Sequence, residues 1–495
     1  MTLPDYIMVA AYLLVMLAVG RYYARRTETA EGYLLGNRTM KPLRVGLSLF
    51  VTLLSTISMI AIPGELIRHG PWLWLGMLSF PVTVYITCRW VVPRFMAANY
   101  TTAYELLEGR LGPSIRWFAG LLFILRRCLW MGLIVHVTSK LIVAPLVRMP
   151  GAAVAGLLVG ATVVYSICGF RAVVAADVIQ SGVLLAAVLL TLGIITYRCN
   201  WIPAEWPSHW PPLSWGYRPG ERLTVFACFI PALIGSWVVS DQMEVQRFLC
   251  TRSVKDARRV LIIAQGLAVL ATGLLICVGL ALMGCYGAAD ADKAFPRFMV
   301  ELPGGFKGFL LCGILAAAMS SLSSGINSCV GVWSNDLRRR RNREVAGIRG
   351  EENGDHCRSS VTPASPSAFR STSILVGAFV FALSLTIAYV PGNLMEIVAR
   401  VVGVAVAPLG GLFFLAMFVR YARPSGAYAG LAAGWIVYVW AAFVAPISFV
   451  WCAPLCLLTV AAVGMIVSLF MEEVCYVSRF VVCDFVRDGS GRRGG

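Results

Sequence analysis

Histidine is scarce in this chain. Among 495 residues there are four: His69, His136, His209 and His356. None belongs to an HExxH pair, and no phosphate-cradling P-loop or GxSxG elbow occurs. Metalloprotease, nucleotide-hydrolase and serine-hydrolase chemistry therefore have no support, and the chain is not read as an enzyme. Charge is scarce as well, at 14% of residues against 58% hydrophobic. That balance excludes an ordinary soluble domain. The 15 cysteines form no CxxC pair and lie mostly inside apolar runs. They read as small buried hydrophobes rather than disulfides or metal ligands.

What the chain has in abundance is long apolar runs. Hydropathy predicts an all-α polytopic membrane protein of about 13 spans. The first run, Tyr6 to Gly20, follows Asp5 and precedes Arg21, Arg25 and Arg26. A secretory signal has the opposite charge order, so this run is expected to stay as a span. With the N terminus placed outside, cytoplasmic segments hold 30 of the 42 basic residues, counting Arg247 to Arg259 as one such loop. The net charge of +17 is thus a topology signal. It is spread over loops instead of one patch, which argues against nucleic acid. The Arg338 to Arg370 loop opens on four arginines and is rich in Gly, Ser and Pro, so flexibility and contact with anionic lipid are expected.

Two runs look interrupted. One passes through Leu53-Leu54-Ser55-Thr56 to Pro63-Gly64, the other contains Pro231 and Gly235-Ser236. They are five spans apart. Broken helices at matching positions of inverted repeats point to a binding site near the bilayer midplane. The plain alternative is that Gly and Pro are commoner in membrane helices generally. A third run carries Ala316-Ala317-Ala318-Met319-Ser320-Ser321-Leu322-Ser323-Ser324 and then Asn327-Ser328. Ser320, Ser324, Asn327 and Ser328 share one helical face, with Ser321 at its edge. Hydroxyls in lipid must find partners, so the stripe serves either close helix packing or a small hard cation.

Ser240-Asp241-Gln242 with Val245-Gln246-Arg247-Phe248-Leu249 resembles a hallmark of the sodium/solute symporter family. Gly308 through Ser321 to Asp336 is similar to that family's ninth-span motif, and Asp177-Val178-Ile179-Gln180 to its sixth-span motif. The resemblance runs roughly from Asp5 to Phe470. It is nearer to the monocarboxylate, multivitamin and iodide carriers than to the sugar carriers. It implies a LeuT-type core of five-plus-five inverted repeats with extra flanking helices. The expected layout is a transporter domain over 1–470, with a flanking span 4–21, halves at 45–197 and 224–419, and flanking spans in 426–470. The loop 338–370 and the tail 471–495 are then cytoplasmic, and the protein lies in the plasma membrane, or the inner membrane of a bacterium.

The implied activity is Na⁺-coupled import of a small organic solute by alternating access. Family register assigns Na⁺ to the carbonyls of Val51, Leu54 and Ala317 and the hydroxyls of Ser320 and Ser321. Oxygen donors, mostly neutral, suit a hard ion that must also leave. The remaining stripe residues are then read as packing contacts. Asp177 is assigned to ion exit or gating, with a headgroup-level helix end as the alternative. Asp241 is expected in a structural network with arginines or backbone.

The solute is less legible. Sugar carriers of the resembled family use acidic or amide groups in the third span and a lysine in the eighth, so the resemblance, with Met77 and a lysine-free run 260–285 here, implies that a sugar is disfavoured. Ser58, Trp237 and Arg400 are candidate cavity residues. A guanidinium at Arg400 would clamp a carboxylate, giving a lean to an anionic solute, although Glu396 is placed to pair with it. Arg126 and Arg127 raise the same question. Rival readings are a solute sensor without transport and a proton-coupled or Na⁺-independent carrier. The oligomeric state is not legible.

Overall fold

A computed structural model describes residues 1–24, 29–98, 100–198, 207–210, 229, 232–234, 241–288, 291–338, 366–387 and 394–489, with backbone alone for 73, 292, 366, 394–402 and 472–489. The described residues are helical throughout, without a strand. The helices used below are α1 (Leu3–Ala24), α2 (Pro42–Leu53), α3 (Thr56–His69), α4 (Pro113–His136), α5 (Gly151–Ser166), α6 (Phe170–Arg198), α7 (Gln242–Leu249), α8 (Val254–Tyr286), α9 (Ala291–Glu301), α10 (Phe306–Val332), α11 (Pro366–Thr386), α12 (Leu394–Phe418), α13 (Pro424–Phe443) and α14 (Cys452–Gly489). Among the described residues nine helices are long and apolar enough to cross a membrane, and a tenth span arises if α2 and α3 are joined.

The helix α10 is the centre. Every residue from Leu310 to Val332 is buried. A helix with no exposed face needs side chains that let neighbours close in from all sides, and its run of Ala, Ser and Gly supplies them. It packs against α1, α2, α4, α5 and α6. At Gly313 the approach of α6 is so close that an added Cβ would lie 2.3 Å from Ala187 Cβ. This contact sets the height of α6 against α10, and so of Asp177 against Ser320.

The second span is broken as its sequence suggested. Helices α2 and α3 meet at an angle of 56°. Leu54 (φ −93°, ψ 96°) and Ser55 (φ −87°, ψ 170°) leave helical geometry. Among the described residues no backbone N–H bonds to the carbonyl oxygens of Val51, Thr52 or Leu54. Pro63 continues inside α3, where it removes one further helix donor. The other predicted interruption, Pro231 and Gly235-Ser236, lies outside the described residues, apart from the helix α7 that follows it.

Two expectations need correction. Cys285, at the end of α8, is disulfide-bonded, so the cysteines are not all free. Arg247, counted as a loop charge, lies fully buried within α7. The VQRF sequence looked like the start of a basic loop because Arg252, Lys255, Arg258 and Arg259 follow it; the helix in fact ends only at Leu249.

Gly313→Val should destabilise the protein by about 1–3 kcal/mol, the usual range for overpacking a close contact. Thermal melting of the detergent-purified protein measures it, and an unaltered melt would contradict the close α6–α10 contact.

Candidate functional site

Four elements converge on one carboxylate. Asp177, on α6, has no exposed surface. Its Oδ1 accepts from Ser320 Oγ at 2.7 Å, and its Oδ2 from Ser48 Oγ at 2.5 Å. Oδ2 also receives a longer hydrogen bond from Ser324 Oγ at 3.4 Å and one from Arg247 Nη2 at 3.3 Å. Ser48 comes from α2, Ser320 and Ser324 from α10, and Arg247 from α7. A carboxylate this deep needs such a set, because nothing else offsets its desolvation.

Arg247 is as fully enclosed as its partner. Its Nη2 donates to Ser324 Oγ at 2.6 Å and Thr52 Oγ1 at 2.8 Å. Nη1 donates to the Met243 carbonyl at 2.8 Å, and Nε to Ser48 Oγ at 3.2 Å. The planar fork therefore ties α2, α6, α7 and α10 together.

The predicted Na⁺ donors lie beside this pair. Ser321 Oγ donates to the Thr52 carbonyl at the break, at 3.3 Å, and Ser320 Oγ is 3.3 Å from Thr52 Oγ1. The structure thus brings Ser320 and Ser321 onto the interrupted segment that holds Val51 and Leu54. Ala317 is buried one turn earlier on α10. Ser320 gives its proton to Asp177, which leaves its lone pairs for another partner. Among the described residues the carbonyls of Val51 and Leu54 accept no backbone hydrogen bond and are the matching acceptors. This donor set is mainly neutral oxygen and fits a hard monovalent cation.

The rest of the serine stripe divides. Ser324 makes its interhelical contact through the Asp177 and Arg247 network. Ser328 Oγ and Asn327 Oδ1 instead bond to the Gln246 side chain. Ser323 Oγ turns back to the Ser320 carbonyl. Asp241 lies in the arginine network expected of it: Arg126 Nη2 and Arg127 Nη2 each reach its Oδ2 at 2.5 Å, and the backbone N–H of Met243 donates to its Oδ1 at 2.9 Å. Ser58 is half-buried on α3. Trp237 and the side chain of Arg400 lie outside the described residues.

The family model for the sodium:solute symporter family matches residues 33–434. The chain belongs to the sodium:solute symporter family. Similar curated proteins include the sodium-coupled monocarboxylate transporter 1 of Mus musculus, 26% identical over 88% of this chain and 72% of its own. The sodium/sialic acid symporter SiaT of Proteus mirabilis is 25% identical, with 90% of each chain covered. A solved Na⁺-coupled sialic acid symporter, substrate-bound and outward-open, shares the fold at a TM-score of 0.81 and 23% identity, covering 95% of this chain and 98% of that one. The nucleobase-cation-symport-1 transporter MHP1 aligns at a TM-score of 0.60 and 13% identity, over 90% of this chain and 95% of its own. As a member of this symporter family, the protein is a multi-pass membrane transporter of LeuT-type fold, not an enzyme. It couples Na⁺ to a small organic solute.

Sequence reasoning missed Ser48, Thr52 and Arg247 in this symporter's central network. A signal existed. Ser48 and Thr52 are four residues apart on one face of α2, and a buried Asp177 calls for a positive partner.

Removing one member of the buried pair strands the other. Asp177→Asn and Arg247→Met should each cost about 3–5 kcal/mol, and the double variant less than the sum of the two. Denaturation of the three variants tests this; strictly additive losses would mean that the pair is not coupled.

Proposed function

We propose that Na⁺ binds at the break of the second span, held by the carbonyls of Val51, Leu54 and Ala317 and the hydroxyls of Ser320 and Ser321. The observation that carries this reading is the meeting of Ser321 with the broken segment at the Thr52 carbonyl. A bound ion ties α10 to α2 and shifts the population toward the state that takes up solute. Asp177 serves ion release or gating: it grips Ser320 on one oxygen and Arg247 on the other, so a change in either partner reaches the ion.

The solute is a small carboxylate or other anion, imported by alternating access. Two arginines at the middle of α4 support an anion, as does the chemistry of the relatives' solutes, monocarboxylates and sialic acid. Ser58, Trp237 and Arg400 line its cavity. The two inverted halves are 45–197 and 224–419, flanked by spans in 4–21 and 426–470. The N terminus lies outside, and 338–370 and 471–495 lie in the cytoplasm of a cell whose plasma or inner membrane holds the protein, the basic loop against anionic lipid. The Cys285 disulfide, at the end of α8 assigned outside, agrees with an oxidising exterior.

A thermal-shift screen of the purified protein in Na⁺ or choline buffer tests both halves of the proposal. Some carboxylate should stabilise the protein only with Na⁺, and its neutral amide should not. Stabilisation by neutral solutes alone would contradict the anionic assignment. Ser321→Ala should raise the Na⁺ concentration at half-effect by about tenfold, a loss of about 1.4 kcal/mol; an unchanged Na⁺ midpoint would contradict the site.

A further inference from the structure

Arg126 and Arg127 are successive residues of α4, and neighbours on a helix point about 100° apart. Here both turn onto a single oxygen, Asp241 Oδ2, at 2.5 Å each. Oδ1 of the same carboxylate caps α7 by accepting from the backbone N–H of Met243. Two guanidinium charges and a helix N-terminus therefore face one carboxylate. Glu244, three residues on, forms no ion pair with either arginine among the described residues.

The donors outnumber what Asp241 accepts. The side chains of Arg126 and Arg127 are only 9% and 4% exposed, and the Nε–H of each is buried with no hydrogen-bond partner among the described residues. A guanidinium offers paired donors shaped for a two-oxygen anion, and here each fork is only partly used. Asp241, at 17%, is the most open member of the cluster. It lies where α7 begins, next in sequence after the predicted interruption of the seventh span, and broken spans of this kind border solute sites.

We propose that Arg126 and Arg127 form a carboxylate-binding subsite, and that Asp241 is a tethered stand-in which a solute carboxylate displaces. The inference rests on the anionic-solute reading and names the residues that would carry it. Because Asp241 is the cap of α7, its displacement frees the start of that helix. Solute arrival is thereby linked to the helix whose Arg247 holds Asp177. Asp241 is a positioning residue that sets affinity by competition, whereas the two arginines touch the solute.

The test titrates the purified full-length protein with propanoate at constant Na⁺, following thermal stability, with propanamide as the neutral control. Removing the stand-in's charge in Asp241→Asn should lower the propanoate midpoint about tenfold relative to wild type, an effect opposite to that of losing a structural contact. Adding Arg127→Gln to that variant should abolish the response, and propanamide should be inert throughout. Wild-type stabilisation by propanoate with an unchanged or higher midpoint in Asp241→Asn overturns the stand-in while leaving the anionic reading intact. No response to propanoate in either protein overturns both. Na⁺-dependent stabilisation of each variant reports on folding. If Asp241→Asn fails that control, Arg127→Lys decides: its propanoate midpoint should rise about tenfold at an unchanged Na⁺ midpoint, and an unchanged propanoate midpoint overturns the subsite.

Discussion

The buried pair of Asp177 and Arg247 is the constraint on which the rest of this structure depends. Two full charges in the middle of a membrane protein are tolerated only when each is compensated. Here the compensation comes from hydroxyls on two helices, Ser48 and Thr52 on α2, Ser320 and Ser324 on α10, with the pair itself joining α6 to α7. Those four helices cannot separate without exposing an uncompensated charge. The network therefore fixes the spacing between the interrupted second span and the serine stripe. It also accounts for charge locally: Arg247 neutralises Asp177, so the oxygens assigned to Na⁺ beside them are neutral ones.

A rigid centre is useful only if something near it can change. Among the described residues the break between α2 and α3 leaves the carbonyls of Val51 and Leu54 unbonded, while that of Thr52 is taken by Ser321 Oγ, and an unbonded buried carbonyl calls for a partner. Close packing keeps that segment from relaxing back into helix, with α10 buried all round and α6 held against it at Gly313. On the other side of α7 the Arg126, Arg127 and Asp241 cluster sets the start of the same short helix that carries Arg247. An eight-residue helix thus has an anion-handling group at one end and the partner of Asp177 near the other. In the reading proposed here, the cargo and the ion are linked through α7.

Much of this was legible because the bilayer simplifies the code. Leu54 and Ser55 could be read as a break from the small polar residues and the downstream Pro63 in an otherwise apolar run. Ser320 and Ser321 stood out because hydroxyls at helical spacing need partners where water is absent. Arg247 was not legible in the same way. Its neighbours Arg252, Lys255, Arg258 and Arg259 sit in a basic segment, and a charge count by position cannot tell the one arginine that turns inward. The partners of Ser324 were not legible for a related reason: the sequence shows its face on α10 but not which of the surrounding helices that face meets. Trp237 and the side chain of Arg400 lie outside the described residues, so the roles proposed for them rest on sequence.

In the proposed site Na⁺ is held by neutral oxygens at the break, beside an Asp177 already satisfied by Arg247. The most direct measurement is a pair of high-resolution maps of the purified protein, one in Na⁺ and one in choline. Na⁺-dependent density is expected, coordinated by the carbonyls of Val51, Leu54 and Ala317 and the hydroxyls of Ser320 and Ser321, with the Asp177–Arg247 contact intact in both. Density bound directly to Asp177 with Arg247 displaced, and none at the break, would contradict it.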